Sequence, residues 1–139
     1  MIADPTKISP IPGFGEPVAA FSHLAAAGLF AALSWPLIRR GRGNSARVWS
    51  LGIYAFACVF QMAMSGVYHM LPEGTARSVM RRLDLAAIFL LIAGTHTPVQ
   101  GMFFRGVWRW GVLAVMWTGV ALGITVFSIQ GENLPYGVG

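Results

Sequence analysis

Ser65-Gly-Val-Tyr-His69, followed by Arg82-Leu-Asp84 and an apolar run that closes in Ala93-Gly-Thr-His-Thr-Pro98, decides how this chain is read. A serine, a histidine and a carboxylate stand at the adjoining ends of two segments whose other residues suit lipid. Ionisable groups in a membrane span are costly, so finding them there marks a functional site by default.

The rest of the composition supports the lipid reading. Of 139 residues, 55% are hydrophobic and only 11% charged, with mean hydropathy +0.62. A soluble domain carries about 25% charged residues. This chain has too little polar surface to cover a water-soluble globule, so an integral membrane protein is expected. The formal net charge is +5. Most basic residues fall in the gaps between apolar runs, as topogenic charge beside lipid headgroups does. No clustered basic face of the kind nucleic acid needs is visible, so membrane lipids are the expected surroundings and nucleic acid is not an expected partner. A lone cysteine, Cys58, excludes an intrachain disulfide and leaves the compartment open. The proline- and glycine-bearing opening lacks the apolar stretch of a signal peptide, so no cleaved leader is expected.

Four apolar runs follow the short tail of residues 1–15: residues 17–38, 48–71, 83–104 and 110–130. Each is long enough to cross a hydrocarbon core of about 30 Å at about 1.5 Å per residue. The expected fold is all-α, a membrane bundle of four helices, with residues 132–139 as a second tail. Pro17 suits a helix start. Trp35 and Trp49 sit where interfacial aromatics belong. Pro98 is expected to kink the third helix or unwind its last turn. Residues 39–47, 75–82 and 105–109 are read as polar loops. Loops one and three hold Arg39, Arg40, Arg42, Arg47, Arg105 and Arg109, against Lys7, Arg77, Arg81 and Arg82 on the other side. That bias favours a cytoplasmic location for loops one and three. Gly119 and Gly123 have the spacing that lets helices approach closely.

Antiparallel threading puts Glu16, His69 and Asp84 at one membrane level, with Ser65 one turn from His69 on the same helical face. A histidine nitrogen, a carboxylate and a hydroxyl at one depth can hold a metal and its bound water. Zinc takes such ligands and, in catalytic sites, keeps one position for water. The carboxylate can then relay a proton. The plainer alternative has His69 bonded to headgroup water and Asp84 capping the third helix or pairing with Arg81 or Arg82. Glu16 is read as an interfacial cap or headgroup contact, and His23 as a hydrogen-bonding residue within the bundle. His96 is too far along its helix to join Asp84 and is expected to satisfy carbonyls freed by Pro98. Met62, Met64 and Met70 read as core filling.

The pattern Ser65-x-x-Tyr68-His69, then Arg82-Leu-Asp84-x-x-x-Ile88 through Gly94-Thr-His-Thr-Pro98, resembles the hemolysin III family. That family is related to the progestin and adiponectin receptors and to alkaline ceramidases. Glu16 and Ser22-His23-Leu24 with Gly28 are similar to its first-helix signature, and the likeness runs from about residue 16 to 104. The resemblance implies a seven-helix fold with an intramembrane zinc site. His69 would be the zinc ligand, Asp84 would hold the metal-bound water or relay its proton, and Ser65 would be the neighbouring polar support. The implied reaction is hydrolysis of a lipid amide in the membrane of a bacterium. The family's remaining ligands come from a His-x-x-x-His pair on the last helix, and no histidine follows His96 here. Leu85 and His96 also replace the histidine and tyrosine of many bacterial members. Three explanations stand: a portion of a longer protein, a lost metal site, or partners that complete it. A non-enzymatic cytolytic, pore-forming or receptor-like protein is the competing function, and an inactive relic is the third.

Overall fold

Hydrocarbon offers large apolar side chains no reason to hide, and this chain shows the consequence. The computed structural model describes residues 13–130, without the side chains of Ser128 and Gln130. Four helices follow in order: α1 (Pro17–Arg39), α2 (Ser45–Met70), α3 (Thr75–Phe103) and α4 (Gly106–Gln130). All four are long and apolar enough to cross a membrane, with a fourth candidate span of Gly106–Phe127. The tails expected over residues 1–15 and 132–139 lie largely outside the described residues.

Local chemistry explains the helix ends. Pro17 occupies the first turn of α1, where its missing N–H costs nothing. Asn44 caps α2 by accepting from the Arg47 amide at 3.2 Å, so α2 starts before Val48. The second loop is shorter than expected, because residues 75–82 are helical and α3 begins at Thr75. Arginines lower the hydropathy there, but their long stems favour helix and let the charged heads snorkel outward. At 29 residues α3 is about 43 Å long, more than the hydrocarbon core requires. Residues 106–109, also expected in a loop, form the first turn of α4. The last turn of α3 is not unwound: the helix continues through Pro98 to Phe103.

Each helix touches only its neighbours in sequence, α1 on α2, α2 on α3 and α3 on α4. The bundle is therefore laid out as an open row, with α2 and α3 at its centre. Its seams are made of small and polar residues. Ala20, Ala57, Ala87 and Ala93 are essentially inaccessible, and Ser50, Gln61, Ser65, Thr97 and Gln100 are buried with them. Phe21, Trp35, Trp49, Phe103, Trp108, Trp110 and Ile129 all point outward. Small side chains let backbones approach when lipid supplies no hydrophobic drive between helices. Of the glycine pair on α4, Gly123 lies against Phe89 of α3, while Gly119 faces open space.

Among the helical glycines the closest approach is at Gly94, where an added Cβ would lie 2.6 Å from Cβ of Ala57 on α2. Gly28, in α1, has nothing within 4 Å of the same position. Gly94→Ala should therefore lower the thermal midpoint of the detergent-purified chain, at an overpacking cost of roughly 1–3 kcal/mol. Gly28→Ala should leave it unchanged or raise it slightly, since alanine is the better helix former. Equal behaviour of the two variants would show that the α2–α3 seam is not tightly closed.

Candidate functional site

Gln61, Ser65 and His69 recur every fourth residue on α2, so they line one face about 6 Å apart along the axis. Each meets a polar partner on another segment. Gln61 Nε2 donates to Asp84 Oδ1 of α3 at 3.2 Å. Ser65 Oγ and His23 Nδ1 of α1 are hydrogen-bonded at 2.8 Å. His69 Nδ1 lies 2.8 Å from Oε2 of Glu16, the residue that precedes α1. Together they form a polar seam through the middle of the row. Gln61 Oε1 is buried and accepts from no protein group among the described residues.

The outer end of the seam is a clasp. Arg77, in the first turn of α3, donates to Glu16 Oε1 and also to the Leu71 carbonyl, the latter at 2.7 Å. Its guanidinium lies over the Tyr68 ring, 4.7 Å from the centroid. The Gly15 and Glu16 amides donate to the Met70 and His69 carbonyls at 3.2 and 2.9 Å. These bonds satisfy carbonyls that the end of α2 leaves unpaired. A Cβ on Gly15 would fall 2.2 Å from Arg77 Nη1 and 2.6 Å from the Leu71 oxygen, so only glycine fits.

The clasp sets the state of Glu16. Partial burial pushes its carboxyl up, but the Arg77 hydrogen bond, with the charge and hydrogen bond of His69, outweighs this and holds it below its ordinary value of 4.5. A depressed carboxylate contributes stability that is complete above its unfolded value and is lost as pH falls through the folded one. Stability of the purified chain should therefore decline below about pH 4.5, and Glu16→Gln should flatten that acid limb. An unchanged acid limb in Glu16→Gln would mean that the clasp carries none of it.

Several expected placements change. Asp84 does not share the level of His69. It meets Gln61, which lies eight residues before His69 and so about 12 Å deeper along α2. The early start of α3 is the cause, and it also removes Asp84 from the capping position. Glu16 holds the N-cap position of α1, and its carboxylate also pairs with His69 and Arg77. His23 hydrogen-bonds within the bundle as expected, but it also stands against His69, with ring centroids 5.3 Å apart. His96 is exposed and forms no hydrogen bond among the described residues, whereas Thr97 bonds the Ala93 carbonyl at 2.7 Å. Gln61 and Arg77 were not singled out from sequence. The four-residue spacing Gln61, Ser65, His69 was the available signal for the first.

Four helices long and apolar enough to cross a membrane, the first three joined by a polar seam, define a multi-pass α-helical membrane protein. A family model described as Haemolysin-III related matches residues 14–134, and the chain belongs to that family. It is 32% identical to Hemolysin-3 of Bacillus cereus over 87 residues, covering 63% of this chain and 39% of that protein. It is 28% identical to a Hemolysin-3 homolog of Bacillus subtilis (strain 168) over 87 residues, covering 63% and 40% respectively. The chain thus aligns with about two fifths of these relatives' length. No solved structure matches.

A catalytic zinc takes three protein ligands and a water. Among the described residues no three histidine, cysteine, aspartate or glutamate side chains converge to hold a metal. The Glu16 bond at Nδ1 leaves His69 only Nε2 for a metal, and Asp84 lies deeper with Gln61. These residues alone do not fit a zinc centre.

Proposed function

We propose that this chain supplies one part of an intramembrane polar centre of the haemolysin III type, and that the centre hydrolyses an amide in a lipid when complete. The observation that carries the reading is the seam itself. Ionisable and hydroxyl groups sit on one face of a membrane helix, each oriented by a partner on a different segment. Such groups are expensive in hydrocarbon and are retained for function. Further support comes from family membership and from a chain that matches only part of its relatives.

In this reading the residues have separate tasks. If a zinc ion is bound, His69 would hold it through its second ring nitrogen, Nε2, with the other ligands supplied by groups beyond this seam. Glu16, by bonding Nδ1, fixes the ring's orientation as carboxylate partners of ligating histidines do. Ser65, held by His23, is polar support beside it, and Asp84, held by Gln61, is the carboxylate available for proton transfer. The protein resides in the plasma membrane of a bacterium, as its Bacillus relatives suggest, and meets its substrate among membrane lipids. A second copy or further helices would complete the ligand set.

Zinc content of the purified protein, compared with His69→Ala, tests the ligand. A loss of metal in the variant is expected. Equal zinc in both would remove His69 as a ligand. Asp84→Asn should retain zinc and lose hydrolysis of a fluorescent ceramide-type amide by about a hundredfold or more, the range of a lost general acid–base group.

The name Hemolysin-3 borne by the Bacillus relatives favours a second reading, membrane lysis without hydrolysis. It requires dye release from liposomes that persists in both His69→Ala and Asp84→Asn. Absence of release from the wild-type protein would eliminate it.

A further inference from the structure

The opposite end of the row carries a different chemistry. Arg39, Arg40, Arg42, Arg47, Arg105 and Arg109 gather where α1 and α3 end and α2 and α4 begin. No aspartate or glutamate occurs between Glu16 and Glu73, or from residue 85 to residue 130. This end is therefore uniformly positive. Some of its arginines are engaged within the protein: Arg39 lies over the Trp35 ring at 5.7 Å, and Arg109 Nε donates to the Phe104 carbonyl at 2.8 Å. Arg40 is exposed and has no ion-pair partner among the described residues.

Below Arg40 a cavity of about 310 Å³ opens between α1 and α2. Phe30, Leu33 and Leu37 form one wall, Tyr54 and Ala55 the other, and Arg40 stands at the mouth. From Arg40 to Phe30 the α1 wall runs about 15 Å. That is the depth of one leaflet, half of a hydrocarbon core of about 30 Å. The cavity is thus an apolar slot of leaflet depth, with a cation at headgroup level.

We propose that this slot holds an anionic glycerophospholipid, its acyl chain along Phe30, Leu33 and Leu37 and its phosphate on Arg40. Charge complementarity selects the occupant. A zwitterionic lipid brings a choline or ethanolamine cation to an end crowded with arginine, whereas an anionic one neutralises it. The slot is independent of the polar seam, which lies toward the other membrane face, and needs no metal.

The test uses the full chain purified in neutral detergent. Thermal stability is titrated with phosphatidylglycerol, with phosphatidylcholine of the same acyl chains, and with glycerol phosphate lacking them. Phosphatidylglycerol alone should raise the midpoint. Arg40→Gln should weaken its apparent affinity about fivefold, the factor expected for one arginine beside anionic lipid. Arg42→Gln, outside the slot, should not. Ala55→Trp, which fills the slot, should abolish the shift, and Leu33→Trp repeats the test if the first variant elutes as aggregate. Equal shifts with both lipids, equal loss in the two arginine variants, or a full shift with glycerol phosphate alone would each overturn the proposal.

Discussion

Glu16 joins three parts of the chain that otherwise meet only in sequence order. Its carboxylate accepts from Arg77 at the start of α3 and bonds His69 near the end of α2, while its own backbone opens α1. Helices α1 and α3 make no direct contact, so this charge cluster ties them across the intervening helix. It works because it sits at the membrane edge, partly dry and partly wet. Deeper, two charges would cost more desolvation than they return, and fully in water they would be screened to little value.

From that edge inward the seam passes from ion pairs to hydrogen bonds. The ion pairs of Glu16 give way to the His23–Ser65 hydrogen bond and then to the Gln61–Asp84 bond. Asp84 is the costly member, a carboxylate well inside α3, and the Gln61 amide is placed to offset part of that cost. Small residues close the α2–α3 seam around it, with Ala57 against Gly94. The same tight seams that hold the helices together therefore also keep lipid away from the polar groups.

The four spans were legible because a long apolar run has one physical meaning in a chain this poor in charge. Ser65 and His69 were legible as a pair because helical spacing alone puts them on one face. Depth was not. Hydropathy ends an apolar run at the first arginine, but Arg81 and Arg82 lie inside α3, and this displaced Asp84 by about two turns from its expected level. The Glu16–Arg77 pair was not legible for another reason: the two residues are 61 positions apart, and no local pattern announces such a pair. His23 shows the reverse case, because its role within the bundle follows from its type and depth, while its nearness to His69 needed the angle between α1 and α2.

A row in which helices touch only their sequence neighbours has a temporal consequence. Helix–helix contacts join only consecutive helices, so each new helix can dock on the one before it as it leaves the ribosome, without waiting for later segments. The clasp is the exception. Its glutamate precedes α1 and its arginine arrives only after two helices have been completed. Closure of the Glu16–Arg77 pair therefore follows formation of the α1–α2 hairpin, and it ties the start of α1 to the start of α3.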